Sequence, residues 1–242
     1  MLPAFEAYET ERADFGRLIA VVRRIQSATM DELRSIDWLI QQIRDVGLLP
    51  IPGADEGYEG DVECINGSQQ GVIQIPREFA RWLLLLGEHR PANYLEVGCF
   101  NGATASLATA YLQRFNPAFH AMTIDIWPGW IFYSEMRDLI PLRYVVGKTS
   151  YEFANQKFDA VFIDGDHSFE WAWADYQNVG RSARICGMHD VNCPPYRELA
   201  LGGVCGAWEL IKSQEAERAE FLEFFDHPSK DFMGIGVRLR KD

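Results

Sequence analysis

Residues 94–108 read Tyr94-Leu-Glu-Val-Gly-Cys-Phe-Asn-Gly-Ala-Thr-Ala-Ser-Leu-Ala108. The stretch starts as an apolar run that ends at Glu96, passes through Gly98 and Gly102, and then has the pattern of a helix. This order predicts a strand, a turn and a helix N-terminus, whose free N–H groups and positive dipole end attract polar ligands. Because the same unit opens nucleotide-binding α/β domains, it predicts a ligand site at the turn.

Two later apolar runs also end in acidic residues. The first is Ala121-Met-Thr-Ile-Asp125, one strand–helix–strand step further along the chain. An acid at that spacing lies beside the glycine turn, where it can accept hydrogen bonds from ribose hydroxyls. The second run, Ala160 to Ile163, leads into Asp164-Gly-Asp166-His167. We expect both acids at the carboxyl edge of one sheet, where open α/β domains bind ligands.

From Val72 onward, strand and helix patterns alternate, which predicts a mainly parallel sheet with helices on both faces. The predicted strands are Tyr94–Val97, His120–Asp125, Arg143–Val146, Ala160–Asp164, Ile185–His189, Leu222–Phe225 and Phe232–Leu239.

At this level the chain resembles the class I S-adenosylmethionine-dependent methyltransferases. The resemblance is carried by Leu95-Glu-Val-Gly-Cys-Phe-Asn-Gly102, Ile124-Asp125 and Phe162-Ile-Asp-Gly-Asp-His167. The Asp-Gly-Asp-His-Ser-Phe segment followed by His189-Asp190 is similar to the small-molecule O-methyltransferase branch. Phe100 departs from the family, since many relatives have a glycine there. The resemblance implies a doubly wound, Rossmann-like sheet of seven strands with an antiparallel edge.

The resemblance also implies S-adenosylmethionine as the cofactor. Asp125 would take the ribose hydroxyls, unless it only caps a helix or ends a strand. Trp127 would lie near the adenine or else pack in the core. The full set of expected cofactor contacts is Glu96, Gly98, Asn101, Gly102, Asp125, Ile126, Trp127, Ser150 and Asp164.

Proton transfer and metal binding are expected at the ends of two neighbouring strands. His167 is our candidate general base, with His189 as its rival, because an imidazole titrates near neutral pH. Asp164, Asp190 and His189 could hold Mg²⁺ or another divalent cation, which would lower the pKa of an acceptor hydroxyl. The alternative is that Asp190 caps its strand and Asp164 binds the cofactor without a metal.

The expected reaction is O-methylation of a small hydroxylated metabolite, either a sugar or a phenolic compound. Two alternatives remain: an oxygenase or hydroxylase of the same fold, and a non-catalytic methyltransferase-like binding protein. Trp171, Trp173 and Trp208 either line the acceptor pocket or belong to the core. The loops 49–71 and 193–206 would shape that pocket, so the sequence does not identify the acceptor.

Composition limits the partners. The chain has 242 residues, 48% of them hydrophobic, and a net charge of −12. No run of Lys and Arg suits a nucleic acid, and no apolar run suits a membrane span. Five cysteines without a Cys-x-x-Cys pair, and an acidic N-terminus unlike a signal peptide, favour the cytoplasm.

The chain divides into two predicted parts. Residues 1–71 form an N-terminal helical extension and loop, and residues 72–242 form the methyltransferase domain. The extension is a lid, a dimer arm that makes a homo-oligomer, or a pair of helices packed on the rest of the chain. Asp31 is the predicted N-cap of its second helix.

Overall fold

A computed structural model describes residues 2–49, 70–226 and 232–241. Its centre is one seven-stranded sheet in the order β3-β2-β1-β4-β5-β7-β6. The strands are β1 Asn93–Val97, β2 His120–Asp125, β3 Leu142–Val146, β4 Ala160–Ile163, β5 Ile185–His189, β6 Ala219–Phe224 and β7 Ile235–Arg240. All seven predicted strands are therefore confirmed, with ends that differ by up to three residues.

The first five strands pair in parallel, and β7 pairs antiparallel with both β5 and β6. This is the predicted doubly wound sheet with an antiparallel edge. The strand order reverses between β1 and β4, and ligands in open α/β sheets bind at such a point, outside the carboxyl ends of the strands.

Helices cover the sheet on both sides. Apolar side chains from one set of helices, among them Phe79 and Leu83, share a core with Phe162 of the sheet, while Tyr176 and Trp208 belong to a second core. The helices are α1 Leu2–Ser27, α2 Met30–Leu33, α3 Ile36–Val46, α4 Pro76–His89, α5 Ala103–Phe115, α6 Tyr133–Met136, α7 Phe169–Asp175, α8 Pro194–Arg197 and α9 Gly203–Glu215.

The N-terminal region contains an unpredicted break between α2 and α3. Thr29 caps α2 in a reciprocal capping box with Glu32, and Ser35 caps α3. The prediction of Asp31 as the cap is therefore wrong. Thr29 has the extended backbone of an N-cap, and its hydroxyl accepts the N–H of Glu32.

The N-terminal helices pack on the remainder of the chain. Phe15 of α1 stacks on Phe132 at 4.5 Å between ring centroids, and both rings belong to the core cluster that includes Phe162. Leu48 and Val72 form an isolated parallel bridge. Most of the predicted loop 49–71 lies outside the described residues, so the lid and dimer-arm roles remain predictions. Among the described residues, no helix is long and apolar enough to cross a membrane.

Candidate active site

A cavity of about 690 Å³ opens at the carboxyl ends of the parallel strands. Gly98 lines it from the turn after β1, Asp125 from the end of β2, Asp164 from the end of β4, and His189 with Asp190 from the end of β5. This size suits a cofactor or small-molecule site. The residues predicted from separate motifs therefore meet in one place.

The turn after β1 requires its glycines. Gly98 has a φ of +91°, and a Cβ there would lie 1.9 Å from the carbonyl oxygen of Asp164. Gly102 has a φ of +80°, and a Cβ there would meet the ring of Trp130 at 2.3 Å. Phe100, which replaces the central glycine of many relatives, adopts a left-handed φ of +48°. The turn thus keeps a glycine-like backbone at a position where a side chain strains it.

Asp125 is hydrogen-bonded to this turn. Its Oδ2 accepts the N–H groups of Cys99 at 2.8 Å and Phe100 at 3.0 Å, and its Oδ1 accepts the N–H of Trp127 at 2.9 Å. A carboxylate has about four lone-pair sites, so capacity for a further donor remains. Asp125 therefore both shapes the turn and offers an acceptor oxygen to a ligand.

Two apolar side chains follow Asp125 at the rim. Ile126 is exposed and Trp127 is 72% exposed, and both line the cavity. The alternative of core packing for Trp127 is therefore wrong. The hydroxyl of Tyr144 donates to the carbonyl oxygen of Trp127 at 2.9 Å, which fixes the backbone of this rim.

Ser150 and Asp175 form a polar pair in the cavity wall. Ser150 is buried and accepts a hydrogen bond from Nδ2 of Asn178 at 3.0 Å, and both Ser150 and Asp175 line the cavity. Burial raises the pKa of Asp175 to about 6. Asp175 was not predicted as a site residue, because an acid inside a helix carries no motif.

Three predicted cofactor residues lie deeper. Glu96 is fully buried and accepts the hydroxyls of Tyr94 at 2.9 Å and Thr104 at 2.7 Å, while Thr104 lines the cavity. Asn101 accepts the N–H of Ala103 and donates to the carbonyl of Gly71. Gly102 and Glu96 are not among the lining residues, so their contact with the cofactor remains a prediction.

Gln74 is a site residue that the sequence did not reveal. Its Nε2 donates to Oδ2 of Asp164 at 2.7 Å, and its buried Oε1 has no hydrogen-bond partner among the described residues. Gln74 is almost fully buried and lines the cavity. No motif surrounds it, since its partner lies far along the chain.

Two carboxylates and two imidazoles meet at the ends of β4 and β5. Nε2 of His167 lies 2.8 Å from Oδ2 of Asp190 and 4.0 Å from Oδ1 of Asp164. Nδ1 of His189 lies 3.1 Å from Oδ1 of Asp164 and 3.3 Å from Oδ2 of Asp190. Asp190 has a φ of +59°, a left-handed conformation that aspartate tolerates better than most residues.

The charges in this cluster shift the pKa values of both histidines and of Asp190. Burial alone would lower the pKa of His167, but the hydrogen bond and charge of Asp190, with Asp164, raise it above its ordinary value. The pKa of His189 is raised well above its ordinary value in the same way. Burial would raise the pKa of Asp190, but the two imidazoles outweigh it and hold that pKa well below its usual range.

The two histidines differ in exposure. The side chain of His167 is 28% exposed and stacks on Tyr196 at 4.2 Å with an interplanar angle of 3°. The side chain of His189 is only 2% exposed. His167 is therefore the more accessible of the two candidate bases.

The group whose ligand atoms converge differs from the predicted metal set. Atoms of Asp164, His167 and Asp190 lie within 4.8 Å of one another. His189, which we predicted as a ligand, is not in this group, although its Nδ1 contacts both acids. Its role as a ligand therefore stays a prediction. Its Nε2 is buried without a partner among the described residues. Oδ1 of Asp190 is likewise buried and unpartnered there.

Of the three tryptophans considered for the acceptor pocket, one lines the cavity and two belong to the core. Trp171 is half exposed and lines the cavity, whereas Trp208 is buried in the core and Trp173 packs against it. From the predicted pocket loop 193–206, Cys193 and Tyr196 reach the cavity.

Residues 95–188, which carry the glycine turn and the Asp-Gly-Asp-His segment, match the model of a family described as a methyltransferase domain. Over this segment, which is less than half of the chain, the sequence is similar to methyltransferase domains. No curated protein sequence matches the chain.

Solved methyltransferase structures share the fold. The O-methyltransferase from Bacillus cereus in complex with SAH has a TM-score of 0.56 at 17% identity, over 69% of this chain and 81% of that one. The O-methyltransferase TomG from Streptomyces achromogenes is involved in tomaymycin synthesis and was solved with SAM. It has a TM-score of 0.52 at 17% identity, over 71% of this chain and 82% of that one. At such identities the likeness shows the fold alone.

Proposed function

We propose that this protein is a methyltransferase that transfers the methyl group of S-adenosylmethionine to a hydroxyl oxygen of a small-molecule acceptor. One observation carries the proposal: the glycine turn, Asp125 and the cluster of Asp164, His167 and Asp190 line a single cavity. Donor and acceptor would share one space, which an in-line displacement requires. The two O-methyltransferases compared above, one solved with SAH and one with SAM, support the choice of cofactor and acceptor atom.

The cofactor would extend across the switch point of the sheet. Asp125 would accept hydrogen bonds from the ribose hydroxyls, and Gly98 would let the methionine part approach the backbone. Ile126 and Trp127 form an exposed apolar rim beside Asp125 that fits the adenine. Ser150, from the segment after β3, lies on the same wall.

His167 would remove the acceptor proton. Because its Nε2 is buried against Asp190, Nδ1 is the nitrogen left to take a proton. The acceptor O–H bond would break as the proton moves to Nδ1. The oxygen would form its bond to the methyl carbon, and the carbon–sulfur bond would break with its electrons on sulfur, which gives a neutral thioether.

A metal-dependent variant of this reaction has its own support. Asp164, His167 and Asp190 present two carboxylates and an imidazole in one group, and Oδ1 of Asp190 lacks a protein partner among the described residues. Such a donor set fits a divalent cation. A cation held there would lower the pKa of the acceptor hydroxyl and orient it. His167 would then be a ligand rather than the base.

Calorimetry with S-adenosylhomocysteine tests the cofactor, and transfer of labelled methyl groups to a panel of sugars and phenols tests the reaction. We expect saturable binding and transfer to oxygen. Absence of binding at millimolar ligand would defeat the proposal. Loss of transfer after chelation, with recovery on adding Mg²⁺ or Mn²⁺, would select the metal-dependent variant. Turnover that requires Fe(II) and O₂ would indicate the oxygenase instead.

The non-catalytic alternative predicts a different result. A binding protein would retain its affinity for S-adenosylhomocysteine, and its role in cells would survive His167→Ala and Asp190→Ala together. Loss of the cellular role in that double variant, with cofactor affinity retained, supports an enzyme.

A further inference from the structure

A second cavity, of about 470 Å³, lies at the amino ends of the parallel strands, opposite the first cavity. Its wall includes Tyr94 at the start of β1, Ala121 in β2, Leu142 at the start of β3 and Phe158 just before β4. These strands are four to six residues long. At about 3.3 Å per residue, the cavity lies roughly 13–20 Å from the catalytic edge.

The charge of this cavity is opposite to that of the chain. Arg137, Arg143 and Lys157 line it, with His120 beside them, and no Asp or Glu belongs to its lining. The whole chain has 35 acidic and 23 basic residues. Because charges beyond about 8–10 Å are screened at physiological salt, the local cations rather than the net charge of −12 set the potential that a ligand meets.

These cations are largely uncompensated. No ion pair joins Arg143 or Lys157 to an acid among the described residues. Arg137 has one contact, 3.7 Å from Asp138, between two largely exposed side chains. Such a pair has little strength in water. Asp159, which follows Phe158, already accepts the N–H of Ala92.

The remaining polar groups of the wall can donate hydrogen bonds. Asn93 uses its Oδ1 to accept the N–H of Asp159 at 2.7 Å, which leaves its Nδ2 available. Gln156 is exposed beside Lys157. Guanidinium, ammonium and amide donors without a carboxylate match the acceptor oxygens of phosphate.

We propose that this cavity binds a small molecule that carries phosphate groups, at a site separate from the catalytic one. Its volume fits a ligand of about nucleotide size. The proposal does not depend on the methyltransferase reaction, since its residues lie at the amino ends of the strands.

Inorganic pyrophosphate and uridine diphosphate are suitable probes, with uridine as the uncharged control and a chelator present to exclude metal-bridged binding. We expect both anions to bind in calorimetry, more weakly as salt rises, and uridine not to bind. Arg137→Gln/Arg143→Gln/Lys157→Gln should weaken binding at least about tenfold. The control Arg23→Gln/Arg34→Gln/Lys241→Gln has the same net charge change at exposed positions and should bind as the wild type.

Amide chemical shifts locate the ligand without any variant. Signals of Tyr94, Ala121 and Lys157 should move on adding pyrophosphate, and those of Gly98 and Asp164 should stay. Equal binding by the two triple variants, or shifts confined to the catalytic edge, would overturn the proposal. Binding of uridine diphosphate without pyrophosphate would also overturn it, because the base rather than phosphate would then be recognised.

Discussion

Nε2 of His167 lies 2.8 Å from Oδ2 of Asp190, and the same oxygen lies 3.3 Å from Nδ1 of His189. One carboxylate therefore holds two imidazoles of different exposure. Asp190 can orient the accessible ring of His167 while the buried ring of His189 helps to keep Asp190 ionised. An acid that orients a histidine in this way fixes which nitrogen accepts a proton.

His167→Ala should lower kcat by roughly two to four orders of magnitude, the usual contribution of a general base. Affinity for S-adenosylhomocysteine should change little. In the wild type, the rate should rise with pH through the raised pKa of His167, because the neutral ring is the base. The variant should lose this acidic limb, as measured by a pH–rate profile. His89→Gln, outside the cavity, is the control.

If the acidic limb persists in His167→Ala, His189 becomes the better candidate for the base. If His167→Ala instead abolishes binding of Mn²⁺ measured by electron paramagnetic resonance, His167 serves as a metal ligand.

Asp125→Ala should weaken S-adenosylhomocysteine binding by about a hundredfold, as expected when charge-assisted hydrogen bonds to ribose are lost. Part of the loss comes from the turn, since the carboxylate also accepts the N–H groups of Cys99 and Phe100. Calorimetry measures the effect, with the exposed Glu209→Gln as control. Equal affinity in Asp125→Ala and wild type would show that the acid has no role in cofactor binding.

Gln74→Leu should lower kcat about tenfold, because Asp164 loses the donor that fixes its Oδ2. Gln74→Glu should have a still lower kcat at neutral pH, since it places two carboxylates in contact. Its kcat relative to the wild type at the same pH should rise as pH falls and the new acid is protonated. Steady-state kinetics at several pH values measures both. The exposed Gln41→Leu and Gln41→Glu are matched controls. An unchanged kcat in both Gln74 variants would rule out a positioning role.

The sequence predicted those site residues that directly end or follow a strand. Asp125, Asp164 and His167 each follow an apolar run, and the parallel sheet brings such ends together. Contacts between distant segments left no local pattern. Gln74 reaches Asp164 across 90 positions, and Tyr196 stacks on His167 from α8. Neither contact follows from periodicity.

The convergent group shares Asp164 and Asp190 with the predicted metal set but contains His167. Nδ1 of His189 also lies within 3.3 Å of both acids. The two histidines end or follow neighbouring strands, and periodicity does not select between them. In the N-terminal region, the second helix predicted to begin at Asp31 is divided into two, since the side chain of Ser35 caps a new helix, α3.

Glu96 should make the fold less stable as pH rises. Burial raises the pKa of Glu96 to about 8, against about 4.5 in an unfolded chain. The stabilisation of the fold by its protonated form is therefore complete below pH 4.5 and is lost as pH rises to about 8. The loss is up to about 5 kcal/mol, and Glu78, with a pKa near 7, acts in the same direction. Glu96→Gln should therefore flatten the fall of Tm between pH 5 and pH 8, measured by thermal unfolding, while the exposed Glu88→Gln should not. Parallel curves for wild type and Glu96→Gln would show that Glu96 is ionised in the fold throughout.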